Sequence, residues 1–156
     1  MLDAEIKKSL NDSVLCWLAT ATPDGKPNVS PKEMFVSFGD DTVLIANIAS
    51  PKSAANILEN PSVCVSFVDV FRQKGFKLTG TGRIIESTDA RYAVLLRELH
   101  KLGGEAFPVN NIIEVTVEAS EPIIAPSYWL FPETTEQSQI TSAMASYGVR
   151  PRDAAA

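Results

Sequence analysis

Thr42-Val43-Leu44-Ile45-Ala46-Asn47-Ile48-Ala49 runs directly into Ser50-Pro51-Lys52-Ser53-Ala54-Ala55-Asn56-Ile57-Leu58-Glu59-Asn60-Pro61, an apolar strand-like run followed at once by a helix start. Ser50 is a good N-cap and Pro51 is preset for the first helical position, so the free amides of Lys52 and Ser53 point out of the helix. A helix start of this kind accepts an anion such as phosphate. Lys52 in a first turn works against the helix dipole by a few tenths of a kcal/mol unless a negative group stands in front of it. On these residues alone, a capped surface helix with a solvated lysine accounts for the stretch equally well.

Working outward, the sequence predicts a short helix over 2–10, a strand over 14–22 ending at Pro23-Asp24-Gly25, and a strand over 27–38. Gly39-Asp40-Asp41 then makes a hairpin that brings the 27–38 strand alongside 42–49. Strands follow over 62–70 and 76–86, rich in β-branched residues. Thr88 caps a helix in which Tyr92, Leu95, Leu96, Leu99 and Leu102 recur at helical spacing, closed by Gly103 and Gly104. A last strand covers 112–119, ahead of Pro122. Six strands with inserted helices and mostly hairpin connections predict a mainly β fold, a closed or nearly closed antiparallel barrel. From Pro126 the character changes. Tyr128-Trp129-Leu130-Phe131 crowds large apolar groups that must cover another surface, and Thr134 with Gln137 makes a capping box for a helix over 135–147 ended by Gly148. Residues 1–125 are thus one barrel domain and 126–156 a segment packing on it or on a partner subunit, with 150–156 frayed.

The 156 residues correspond to about one domain, small for an enzyme that also encloses a large cofactor, so a subunit interface is the expected second wall. A net charge of −5 supplies no basic field for nucleic acid. No apolar run reaches the ~18 residues of a membrane span, and residues 3–10 lack a signal-peptide core, which leaves the cytoplasm as the default location. Cys16 and Cys64 lie in apolar strands and are read as buried free thiols. Gly80-Thr81-Gly82 sits inside a strand with no helix after it; its glycines point to close approach of another backbone and not to a phosphate loop. His100 is the only histidine, in a predicted helix without a nucleophile motif, and no cluster of metal ligands is legible. Arg72, Lys74 and Lys77 form a basic group expected to be a solvated turn.

Asn28-Val29-Ser30-Pro31-Lys32 in one strand, then Ser50-Pro51-Lys52-Ser53 after another, with Asn56 and Asn60-Pro61 beyond, resembles the pyridoxamine 5'-phosphate oxidase-like, FMN-binding split-barrel family. The resemblance covers residues 14–117 in order of elements and is most specific over 27–61. It implies a six-stranded antiparallel split β-barrel and a homodimer with FMN at the subunit interface. It also implies that the phosphate sits near Lys52 and Ser53, with Asn56 one turn on and Lys32 as a second charge; a phosphomonoester of about −2 charge suits such donors. The flavin ring then lies along Val29, Ser30 and Pro31 and the facing Ala46, Asn47 and Ile48. The small residues Ala46, Ala49 and Ser50 leave backbone open to it, and Trp129 of the partner serves as lid. The implied activity is that of an oxidoreductase passing hydride or electrons between flavin and a small substrate or nicotinamide, without an assigned catalytic side chain. The tail has no histidine, unlike that of true pyridoxamine 5'-phosphate oxidases, and Ser30 stands where the family often has an arginine. A flavin-binding module for electron transfer, storage or stress response, a deazaflavin-dependent reductase and a cofactor-free association barrel are the alternatives.

Overall fold

The computed structural model of the protein describes residues 1–152. Its elements in chain order are α1 (Ala4–Asp12), β1 (Cys16–Ala21), β2 (Pro27–Lys32), β3 (Phe35–Phe38), β4 (Thr42–Asn47), α2 (Pro51–Glu59), β5 (Ser62–Asp69), β6 (Lys74–Ile85), α3 (Tyr92–His100), β7 (Asn111–Ile124), α4 (Ser127–Leu130) and α5 (Glu136–Tyr147). The seven strands form one antiparallel sheet in the order β2-β1-β5-β6-β7-β4-β3. Among the described residues no helix is long and apolar enough to cross a membrane.

The two edges, β2 and β3, are consecutive in the chain and separated only by Glu33 and Met34. Laid flat, seven strands would put those edges roughly 29 Å apart at the usual spacing of about 4.8 Å. Three Cα–Cα steps from Lys32 to Phe35 reach at most about 11 Å. The sheet must therefore curl until its edges meet, giving the split barrel the sequence predicts, with seven strands in place of six. The extra strand comes from the predicted 27–38 strand, which breaks at Glu33-Met34. Only its second half, β3, pairs with β4 through the Gly39-Asp40-Asp41 hairpin (Phe38 opposite Thr42); β2 pairs with β1. The expected ladder between 28–32 and 42–49 is absent, and the two stretches meet instead through α2. β2 carries Pro27 and Pro31, tolerable on an edge because one side of that strand has no ladder to supply.

Apolar side chains fill the barrel. Leu18, Val43, Ile45, Val65, Phe67, Leu78, Ile113 and Val115 pack inside it, and Leu2, Ile6 and Leu10 of α1 join them. A second cluster, Leu44, Ala46, Ile85 and Ile112 under Leu95 and Leu99 of α3, covers the opposite face of β4. β4 is thus buried on both faces, which explains why Val43-Leu44-Ile45-Ala46 is continuously apolar.

Four local expectations shift. β7 runs to Ile124, through Pro122, because beyond Thr116 it has lost β4 and keeps only β6 as neighbour. α3 starts at Tyr92, not after Thr88: the Asp89 carboxylate accepts the Arg91 amide at 2.8 Å, a local turn that competes with helix. The cap of α5 is Thr135 with Ser138, one residue later than the predicted pair, while Gly148 closes the helix at φ +66°. Cys16 is buried, whereas Cys64 is only half-buried because it occupies the alternating outward position of β5. The C-terminal segment touches the β5–β6 turn: Tyr128 Oη donates to the Arg72 carbonyl at 2.8 Å, Lys74 pairs with Glu136, and Phe71 meets Tyr147 edge-on. Of the predicted frayed end, residues 153–156 lie outside the described residues.

At Gly80 the β6–β7 ladder slips by one residue, and a Cβ there would run into the Thr116 carbonyl oxygen. Gly80→Ala is therefore expected to destabilise the protein by at least about 2 kcal/mol in urea unfolding, since the obstacle is backbone held on both sides by strand pairing. A midpoint equal to that of the wild type would contradict this packing.

Candidate functional site

The seam between the barrel's edges, together with the turn from β4 into α2, encloses a cavity of about 450 Å³ lined mainly by apolar groups. Val29, Ser30, Pro31 and Lys32 supply one wall and Ala46, Ile48, Ala49 and Ser50 the facing one. Leu15, Glu33, Met34 and Phe107 complete the lining and were not legible as site residues: Glu33 and Met34 join it only because the strand breaks there, and Phe107 comes from the connection between α3 and β7.

The α2 start departs from ordinary capping. Pro51 takes the first helical position and Ser50 the N-cap, but the Ser50 side chain makes no capping bond. Its hydroxyl oxygen accepts from Lys32 Nζ instead, while its amide donates to Asn47 Oδ1 at 3.1 Å. The amides of Lys52 and Ser53 have no acceptor among the described residues. Asn47 is itself held by Asn111 Oδ1 at 2.9 Å, so its buried side chain fixes the turn from beneath.

Lys32 is only 6% exposed, and its one polar partner among the described residues is the neutral Ser50 hydroxyl. Its cross-strand partner is Cys16. Burial pushes the Cys16 thiol up to about 12, against the pull of the Lys32 charge, so at neutral pH the thiol offers no counter-ion. Burial also holds the Lys32 ammonium below its ordinary 10.5. A desolvated cation beside two unpartnered helix amides is a configuration that an anion completes.

Other predicted positions fall around this corner without lining the cavity. Ser53 is buried, hydrogen-bonded to Asn28 Nδ2 at 3.1 Å and to Ser30 Oγ at 3.0 Å. Asn56 points inward and donates to Thr20 Oγ1 at 3.0 Å, and Asn28 donates to the same oxygen at 3.2 Å. Thr20, Asn28, Ser30, Ser53 and Asn56 thus form one polar network that pins α2 to β1 and β2. Lys52 is exposed one residue past Pro51. Trp129 is 68% exposed in α4, does not line this cavity in its own subunit, and lies on the element docked at the β5–β6 turn. The basic residues Arg72, Lys74 and Lys77 are engaged by Asp69 and Asp12, Glu136, and Glu121.

Leu15 also borders a second apolar hollow of about 490 Å³ formed by Val14, Trp17, Val70 and Phe71. With Val14 80%, Val29 58%, Val70 47% and Trp17 46% exposed, the two hollows make a continuous uncovered apolar surface.

The sequence profile of the pyridoxamine 5'-phosphate oxidase family matches residues 2–123. No curated protein sequence matches the chain. Among solved structures, HupZ of Group A Streptococcus is 24% identical with a TM-score of 0.68, covering 80% of this chain and 96% of its own. An FMN-binding protein from Syntrophomonas wolfei subsp. wolfei is 16% identical with a TM-score of 0.63, covering 75% and 82%. HutZ, the heme storage protein from Vibrio cholerae, is 22% identical with a TM-score of 0.61, covering 79% and 94%. Each likeness is one of fold.

The folded protein releases the Lys32 proton at lower pH than the unfolded chain, so its stability rises with pH from the depressed value up to 10.5. Lys32→Met is accordingly expected to raise the Tm at pH 7 by about 2–4 °C, the equivalent of ~1 kcal/mol, with the gap closing as pH approaches 10.5. Inorganic phosphate should stabilise the wild type more than the variant. Thermal melts with and without phosphate check this, and a lower Tm for Lys32→Met would contradict the unpaired-cation reading.

Proposed function

Because the chain belongs to the pyridoxamine 5'-phosphate oxidase family, we propose that it binds FMN in the seam cavity as a homodimer and acts as an oxidoreductase on a small substrate or nicotinamide. The single observation carrying this reading is Lys32, a buried ammonium without an acidic partner, set beside the unpartnered amides that open α2. The residues present fit the cofactor. The cavity falls within the roughly 300–1,000 Å³ usual for small-molecule sites, apolar walls with few polar groups suit a flat ring, and the α2 corner suits a phosphate.

Lys32 and the amides of Lys52 and Ser53 hold the phosphate, with the exposed Lys52 ammonium adding charge from the solvent side. Val29, Ser30 and Pro31 face Ala46, Ile48 and Ala49 across the ring, the alanines leaving backbone within reach. When bound, the flavin supplies hydride or single-electron transfer. Asn47 and the Thr20–Asn56 pair keep the α2 start in place, and Asn56 stands one turn along α2 from the phosphate corner. The chain's one histidine, His100, ends α3 and lines neither hollow, which favours flavin over a histidine-ligated haem.

The dimer is supported by the exposed surface of Val14, Leu15, Trp17 and Val29, which adjoins the cavity and leaves it open on that side. A second copy laid there removes apolar area from water and supplies the missing wall. Trp129 of that copy remains our candidate for the lid over the ring.

The first experiment is to titrate FMN into the purified protein and follow its visible spectrum. About one flavin per chain is expected, and a protein that ignores FMN would sink the reading. Lys52→Glu should weaken binding by at least ~2 kcal/mol, about 30-fold, by placing a negative charge against the phosphate; unchanged affinity removes the phosphate assignment. Trp17→Glu is expected to convert the dimer to monomer in sedimentation velocity, and a wild type that already sediments as monomer contradicts the dimer.

A further inference from the structure

The connection between α3 and β7 has a construction the fold does not require. Gly103 and Gly104 open it with φ of +88° and +78°, both in the left-handed region. From Gly104 to Pro108 the only hydrogen bond among the described residues is internal, from the Phe107 amide to the Gly104 carbonyl at 2.9 Å. At its far end the segment is pinned: Tyr92 Oη donates to the Val109 carbonyl at 3.0 Å, and Asn110 donates through its amide to Asn47 O at 3.0 Å and through its side chain to Ile48 O at 2.7 Å. The pinning residue Ile48 is itself part of the cavity wall.

Phe107, between hinge and anchor, lines the cavity yet is 58% exposed. A phenyl ring left this open to water beside an apolar hollow gains from any flat apolar ligand that slides under it. The hinge is also in touch with the wall, since Met34 sits so close to Gly104 that a Cβ there would come within 3.0 Å of its sulfur. Met34 in turn belongs to the seam and to the cavity lining.

We infer that residues 103–109 form a hinged aromatic lid, in which Phe107 closes over the edge of a bound ligand's planar ring seated between the Val29–Pro31 and Ala46–Ala49 walls. The inference deepens the flavin reading and rests on it: the lid selects ligands carrying a flat aromatic system and retains them, while the α2 corner holds the anionic end. Phe107 is a positioning and specificity residue with no chemical step of its own. Its loop moves as a unit between Gly103-Gly104 and the Asn110 anchor, and Asn110 sets where the ring lands because it is bonded to the wall that the ligand touches.

The test compares wild type, Phe107→Ala and Phe107→Tyr for FMN affinity, dissociation rate and amide hydrogen exchange over residues 104–107. FMN should protect those amides in the wild type. Phe107→Ala should bind about 10-fold more weakly, mainly through faster dissociation, and Phe107→Tyr should restore retention. Equal affinity of Phe107→Ala and wild type, or exchange over 104–107 that FMN leaves unchanged, overturns the lid while leaving the flavin site standing. A wild type that takes up no FMN overturns the flavin reading and the lid with it.

Discussion

Chain continuity through Glu33 and Met34 is the constraint on which the rest of this molecule depends. Hydrogen bonding closes a conventional barrel by pairing its last strand with its first. Here the two edge strands are halves of one run, and a two-residue link does the joining. Because no ladder joins β2 to β3, the seam stays open, and the cavity forms along it. Lys32, Glu33 and Met34 line that cavity for the same reason that β2 and β3 are separate strands. Fold and site are one event: the curl brings the end of β2 to the start of α2, and neither alone encloses anything.

Electrostatics gives the seam its chemical character. Lys32 faces inward because its register position opposite Cys16 points it there, and burial weakens its hold on its proton. Such a cation destabilises the empty protein and favours any state in which an anion is near. The α2 start is kept rigid by hydroxyl and amide side chains that satisfy one another through Thr20, Asn28, Ser30, Ser53 and Asn56. The charged group that stays desolvated thus stands beside a scaffold whose polar groups are already spent on structure. An arriving ligand therefore meets fixed donors that need little rearrangement.

Much of this was legible locally. Pro51 after an apolar run marks α2, Gly39-Asp40-Asp41 marks the β3–β4 hairpin, and Gly148 marks the end of α5, because each sets a backbone angle within a few residues. Eight of the thirteen predicted site residues line the cavity, five of them from the two stretches whose spacing carried the resemblance and Ala46, Ile48 and Ala49 from the run that leads into the second. The break at Glu33-Met34 was not legible, since no glycine or proline marks it and the cause is closure of a sheet seven strands wide. Asn56 reads as a surface donor one turn along a helix, yet its partner Thr20 lies 36 residues away and turns it inward. Phe107 carries no periodic signal because it sits on a connection whose place is set by its ends. Local chemistry predicts what a turn or a cap will do, whereas contacts across the seam depend on curvature that no short window contains.

The prolines of β2 have a bearing on what the open edge of the sheet can recruit. An edge strand with free backbone groups invites another chain to add to the sheet, and unchecked addition of that kind builds fibrils. Pro27 and Pro31 interrupt the donor row along one edge of the sheet. What this side presents to a neighbour is therefore exposed side chains such as Trp17 and Val29 and not an extended backbone ladder. Side chains of that kind offer a surface of fixed shape in place of a repeating template, so this edge is a poor seed for strand-by-strand growth.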